Sequence, residues 1–394
     1  SANHFHIPPP FGCDHGREGP PVGQPARRLC YHFPAMDRKL AWVGLNALPS
    51  LTSHRLRRLL SAFGGPAEAW RAPQGALARV LGEELAAVLD RERAGFSPEE
   101  ELARAERLGA KVLTWDDPEY PPPLREIPEP PPVLYLLGEL REGDLSGIAI
   151  VGTRRCTSYG RLVARRLARE IAARGVTVIS GLAPGIDRAA HQGALEAGRT
   201  VAVLGTGLAR PYPAGSERLI AEIAAAGAVL SEFPLEQPGS RWTFPRRNRL
   251  IAGLSLGVVV VEAPARSGAL ITADHALEQG KEVFAVPGPI TSQASAGSNR
   301  LIREGAKLVT SADDVLEEFP GLAHVPTRRE EGGGPDLDAE AQAVYDLLGL
   351  EPLGIAELGE RTGLSHARLS QILVELQLSG LIQETAGRKY MRAR

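Results

Sequence analysis

The residues best equipped for chemistry in this chain are arginines set beside strand-like runs. Arg154 and Arg155 follow "IAIV" (148–151), and Arg246, Arg247 and Arg249 lead into the uncharged run 250–261. An arginine stays charged at any working pH, and its planar fork of donors matches phosphate oxygens. The turns around them are small or hydroxyl-bearing: Gly152-Thr153, "SGLAPGID" (180–187) with Ser180, Gly181 and Gly185, "GTG" with Gly205 and Gly207, and Ser267-Gly268. Such turns, leading into helix starts, leave backbone N–H groups unpaired at the positive end of a helix dipole, an arrangement suited to phosphate. Several cations converging with these loops in one groove suit a repeating polyanion better than one small molecule. Aromatic residues interleave as base-stacking platforms would: Trp242 and Phe244 among the arginines, Tyr159 and Tyr212 in two other loops, with Phe244 foremost. Arg241 reads as the bystander of its group. The structural alternative is that these arginines pair with Glu232, Glu236 and Glu262.

Catalytic groupings are thin, and neither a catalytic residue nor a metal site is assigned. The first strand is followed by "GTRRCTSYG" where a dinucleotide site needs G-x-G-x-x-G, and the second ends in Ser180-Gly181 where it needs an acid. No G-x-x-x-x-G-K-[ST] loop occurs either, so no nucleotide cofactor is expected. Asp187 and His191 stand four residues apart on a probable helix and read as a helix-start acid and a packed histidine. The loop "SGAL" (267–270) has no histidine to activate its serine.

The elements that position these residues form an α/β pattern. Short apolar runs at 148–151, 176–179, 201–204, 228–230, 257–261 and 283–286 alternate with helical segments. Being apolar throughout, they fit a mostly parallel, doubly wound Rossmann-like sheet covered by helices on both faces, over residues 111–320. In such sheets ligands bind at the carboxyl ends of the strands, where the small-residue loops sit. Residues 37–110 carry three-and-four apolar spacing broken at Gly64-Gly65-Pro66, and read as a small helical domain. The Pro-rich segment "DDPEYPPPLREIPEPPPV" then crosses in extended form. Residues 321–338 read as a linker, and 339–394 as a winged helix. Residues 1–36, rich in Pro and Gly, read as a disordered extension or a processed end.

At 394 residues with a formal net charge of -2, the chain excludes a uniformly basic coat, so any nucleic-acid binding must come from local clustering of arginine. Its three cysteines (Cys13, Cys30, Cys156) form neither a disulfide framework nor a zinc site. With no apolar run near the roughly 20 residues of a membrane span, a soluble cytoplasmic protein is expected.

Taken in order, "IAIVGTRRCTSYG", "VTVISGLAPGIDRAAHQGAL", "VAVLGTGLARPYPAGSERL", "LSEFP", "FPRRNRLIAGLSLGVVVVEA", "RSGALITADHALEQGKEVFAVPG" and "SNRLIREGAKLV" resemble the signature blocks of the DprA (Smf) family of DNA-processing proteins. The resemblance spans roughly 145–320. It implies a non-enzymatic protein that binds single-stranded DNA and loads the RecA recombinase onto it in natural transformation, acting as a homodimer through its Rossmann-like domain. It also implies a helical domain resembling a sterile alpha motif ahead of the sheet. Carried over, the family's DNA-contacting arginine falls on Arg154, its R-N-R turn on Arg247, Asn248 and Arg249, and its anion loops on 180–187, 205–207 and 267–268. In "YPAGSERL" (212–219), where the family can carry DNA-holding lysines, this chain has Ala214, Gly215 and Glu217, leaving Arg210 or Arg218 as substitutes. Two alternatives stand beside this reading. One is an enzyme similar to the nucleoside-monophosphate phosphoribohydrolases, although the paired glycines of their loop are missing from "ARSGALITADHALEQG". The other is a winged-helix regulator of duplex DNA, although its recognition helix offers only His366, Arg368 and Gln371 early on.

Overall fold

The computed structural model describes residues 37–322, 337–349, 352–378, 381–385 and 387–392. The expectations for residues 1–36 and for most of the 321–338 linker lie outside the described residues. Nine strands form one sheet: β1 (Lys111–Thr114), β2 (Val133–Gly138), β3 (Gly147–Val151), β4 (Val178–Ser180), β5 (Thr200–Val203), β6 (Ala228–Ser231), β7 (Ser255–Val260), β8 (Glu282–Ala285) and β9 (Lys307–Leu308). Their order is β1-β2-β6-β5-β4-β3-β7-β8-β9. The seven strands from β6 to β9 in that order run parallel, while β2 joins β6 and β1 joins β2 antiparallel.

Alternation along the parallel strands sends successive side chains to opposite faces. Ala149, Val151, Val258 and Val260 face one core with Leu250, Ile251 and Leu254 of the helix Thr243–Leu254 and Ala273 and Ala276 of the helix Gly268–Glu278. Ile148, Ile150, Val259 and Val261 face the other, with Leu167 and Ile171 of the helix Ser158–Ala173 and Ile186 and Ala190 of the helix Ile186–Leu195. Both faces being covered explains why the strands read as continuous apolar runs. The chain winds outward from β3 through β4, β5 and β6, then returns to place β7 on β3's other side. The strand order therefore reverses between β3 and β7, and a crevice opens there.

Six helices between Arg38 and Arg107 pack as a helical unit, whose core continues into Val133, Tyr135 and Val229 of the sheet. The break at Gly64-Gly65-Pro66 is a helix end followed by a helix start: Gly64 takes the left-handed conformation (φ 91°) that closes Ser53–Phe63, and Pro66 opens the next helix. The Pro-rich crossing departs from the expected extended form, because a helical turn, Pro122–Glu126, buries Leu124 within it. At the C-terminal end, helices Ala339–Leu347, Ile355–Thr362 and His366–Leu378 pack on a three-stranded antiparallel sheet, a winged helix.

Candidate nucleic-acid interface

The crevice at the β3/β7 reversal encloses about 650 Å³. Its walls are the loop after β3 (Gly152, Thr153, Arg154, Arg155), the start of the helix Thr243–Leu254 with the residues before it (Arg241, Phe244, Arg247, Asn248), and the loop after β7 (Arg266, Ser267, Gly268).

The β3 loop is fixed from below. Thr153 donates its N–H to the Glu262 carbonyl (2.7 Å), and the buried Glu262 carboxylate accepts from the Thr157 N–H (2.9 Å) and hydroxyl (2.7 Å). Gly185 is required at its position: its φ is +91°, and an added Cβ would press on the carbonyls of Thr153 and Arg154. On this mount Arg154 and Arg155 are exposed. The Arg154 guanidinium lies over Phe244 (4.6 Å to the ring centroid) and Tyr212 (5.4 Å), which orient it without neutralising it. Among the described residues no carboxylate forms an ion pair with Arg154, Arg155, Arg241 or Arg266. Arg241, the expected bystander, thus stands in the crevice wall. Arg266 was not singled out by the sequence, and its only signal was its place between β7 and the Ser267 N-cap.

The arginines of the R-N-R stretch sit differently. They lie on a helix rather than a turn, and Arg247 is 4% exposed and Arg249 5%. Arg247 donates to the Gly181 carbonyl (2.6 Å) and to the Val203 carbonyl, tying the ends of β4 and β5 together beneath the crevice. Gly181 makes the room, since a Cβ there would stand 2.6 Å from the guanidinium carbon. Asn248 accepts from Arg247 Nε (3.2 Å) and donates to the Gly268 carbonyl (3.1 Å), so the pair also positions the loop after β7. Arg246 and Arg249 turn away from the crevice onto the buried Glu232, at 3.2 and 2.6 Å. For these two the structural pairing weighed from the sequence is what the molecule shows. The other substitutes are also occupied: Arg210 pairs with Glu236 and Arg218 with Glu222.

Phe244 is a support rather than an open platform. It packs against Tyr212 (5.0 Å between centroids), carries Arg154, and seats on Gly205, whose Cβ would collide with the ring. Gly207 lies against the backbone of Pro234 and Leu235, and Ser180 is fully buried with its hydroxyl donating to the Ile150 carbonyl (2.6 Å). The structure therefore brings Gly152, Thr153, Arg154, Arg155, Phe244, Arg247, Asn248, Ser267 and Gly268 to the crevice, and leaves Ser180, Gly181, Gly185, Gly205, Gly207, Arg246 and Arg249 out of its lining. Tyr159 points elsewhere, its hydroxyl donating to the Pro287 carbonyl (3.2 Å).

Asp187 lines the crevice floor, and burial pushes its carboxyl up to about 6 against the pull of Arg247 and Arg154. The same burial brings Arg247 down to about 10, with Asp187 holding it up. His191 is fully buried against Thr200 (2.7 Å) and pressed down to about 3, a packed neutral ring and not a base paired with Asp187. Among the described residues no cluster of His, Cys, Asp and Glu could hold a metal ion, and no helix is long and apolar enough to cross a membrane.

Residues 111–320 match the protein family described as DNA recombination-mediator protein A, and residues 329–388 match the DprA winged helix domain. The chain is 34% identical over 396 residues to Protein Smf of Synechocystis sp., covering 91% of this chain and 100% of that one. It is 41% identical over 305 residues to Protein Smf of Escherichia coli, covering 76% and 81% respectively. Among solved structures it resembles the X-ray structure of DNA processing protein A (DprA) from Streptococcus pneumoniae, at 35% identity and a TM-score of 0.62, over 73% of this chain and 99% of that one.

Proposed function

The chain belongs to the DNA recombination-mediator protein A family, and on that premise we propose that it binds single-stranded DNA in the β3/β7 crevice and delivers the strand to the RecA recombinase during transformation. The observation that carries this reading is the set of four arginines, Arg154, Arg155, Arg241 and Arg266, that line one crevice and form no ion pair among the described residues. Cations without an ion pair release counterions when a phosphate chain enters, and Arg154, already laid on Phe244 and Tyr212, needs little further ordering. Ser267 and Gly268 lie at the same mouth, where the Ser267-capped helix start adds its dipole. Arg247 and Asn248 act from beneath by holding the loops.

The protein works without a catalytic step, in the cytoplasm, as a homodimer, with a helical unit, the α/β unit and a winged helix as separate parts. Duplex recognition by the winged helix has less support. Arg368, the cation early on its would-be recognition helix, is held by Asp338 (2.8 Å) and Glu340 (2.6 Å), leaving few free donors for base edges. The test is competition between single-strand and duplex oligonucleotides at two salt concentrations. Preferential single-strand binding that weakens steeply with salt is expected, and duplex preference would overturn the reading.

A further inference from the structure

The crevice wall continues past Arg241 to Trp242, which is 50% exposed. Of the other tryptophans, Trp42 is buried and Trp70 and Trp115 are half-buried. Trp242 is not a loose surface residue. It occupies the N-cap of the helix Thr243–Leu254, its N–H donates to Ser240 Oγ (3.4 Å), its carbonyl accepts from the Arg246 N–H (3.2 Å), and its ring meets Phe233 nearly at right angles (6.1 Å, 78°). Anchoring a large apolar ring half in water costs hydration free energy that a partner's flat face would recover.

The charge around it selects that partner. On one side stand the unpaired Arg241 and the crevice. On the other, Trp242 shares a second, smaller cleft with Ser53 and Leu56 of the helix Ser53–Phe63. That helix bears Arg55, Arg57 and Arg58, whose guanidinium groups donate to the carbonyls of Ser50, Pro128 and Val80 and form no ion pair among the described residues. The carboxylate in this cleft, Glu232, already carries Arg246 and Arg249, so it adds no free negative charge beside the ring. Glu236 nearby is taken by Arg210. An aromatic ring with an arginine-lined crevice on one side and, on the other, a largely apolar cleft leading to an arginine-bearing helix suits a base of a polyanionic strand, not a neutral or basic peptide.

We propose that Trp242 is a base-stacking platform that carries a single strand out of the crevice toward the helix Ser53–Phe63. The inference rests on the crevice reading above. It is tested with the full-length protein by titrating in an oligothymidylate of roughly 20 nucleotides, long enough to pass beyond one binding groove. Tryptophan fluorescence is read together with the anisotropy of a labelled strand. The expected result is quenching of the wild-type emission, absent in W242F, together with an affinity loss of about fivefold or more in W242L that W242F largely restores. The salt slope stays at its wild-type value in both variants, because no phosphate contact has been removed. Binding without quenching, and with W242L as tight as wild type, would overturn the inference while leaving the crevice reading intact. Absence of single-strand binding by the wild-type protein would remove both.

Discussion

Around the crevice, arginines at the rim and arginines beneath it are in opposite physical states. Arg154, Arg155, Arg241 and Arg266 are exposed and form no ion pair among the described residues, with Arg154 lying on aromatic rings that orient it. Arg247 and Arg249 are buried, and Arg246 is half-buried; they are spent on the Gly181 and Val203 carbonyls and on Glu232. The difference teaches that a run of basic residues in a family motif can divide its labour. On the proposed function some of its charges are left open to the ligand, while others satisfy carbonyls at the carboxyl ends of the strands so that the loops keep one shape. Desolvation decides the division: a buried guanidinium must find acceptors inside the protein, and one at the rim need not.

The comparison breaks most visibly at the floor. R247M strands two carbonyls and removes a cation that favours the buried Asp187 carboxylate, and a stability loss of about 3 kcal/mol is expected, read as a lower midpoint in chemical denaturation. A normally stable R247M that had lost DNA affinity would instead move Arg247 to the ligand-contacting class. At the rim the signs reverse. R154A should keep the wild-type midpoint and lose about tenfold in single-strand affinity, equivalent to about 1.4 kcal/mol, measured by anisotropy at fixed salt.

Asp187 sharpens the picture through pH. Its raised pKa makes it neutral below about 6 and a negative charge in the crevice floor above that. Affinity for a polyanion is therefore expected to fall by about threefold between roughly pH 5 and 7, and D187N should flatten that profile. Stability moves the same way, because the folded state holds this proton more tightly than the unfolded state: the group's contribution declines as pH rises from its ordinary 3.8 to about 6. His191, pressed down to about 3, stays neutral through that window. The smallest effect belongs to the winged helix, where R368A should change single-strand affinity by less than about twofold because Asp338 and Glu340 already hold that charge.

Much of the fold was legible because burial on both faces leaves a plain trace. The six apolar runs from 148 to 286 each overlap a strand of the parallel sheet, and the small-residue turns mark their carboxyl ends. The antiparallel pair β1 and β2 escaped, since "KVLT" is short and "VLYLLG" emerges directly from a Pro-rich stretch. At the site, residue type pointed to phosphate chemistry, but type alone cannot say which way a side chain faces. On a helix, Arg247 and Arg249 point inward and Arg246 toward Glu232, while Arg241, just before the helix, lies in the crevice wall. Gly205 had the composition of an anion loop and serves as the seat of the Phe244 ring, a role only the tertiary structure reveals.

The central claim, that the unpaired rim arginines are the phosphate-gripping set, is tested most directly by the salt dependence of single-strand affinity in the wild-type protein and in a variant with Arg154, Arg155, Arg241 and Arg266 all changed to alanine. With the fold intact by its denaturation midpoint, the log–log slope should flatten by about 0.7 for each arginine removed. An unchanged slope would contradict the account, because it would mean that the strand's phosphates are neutralised somewhere else.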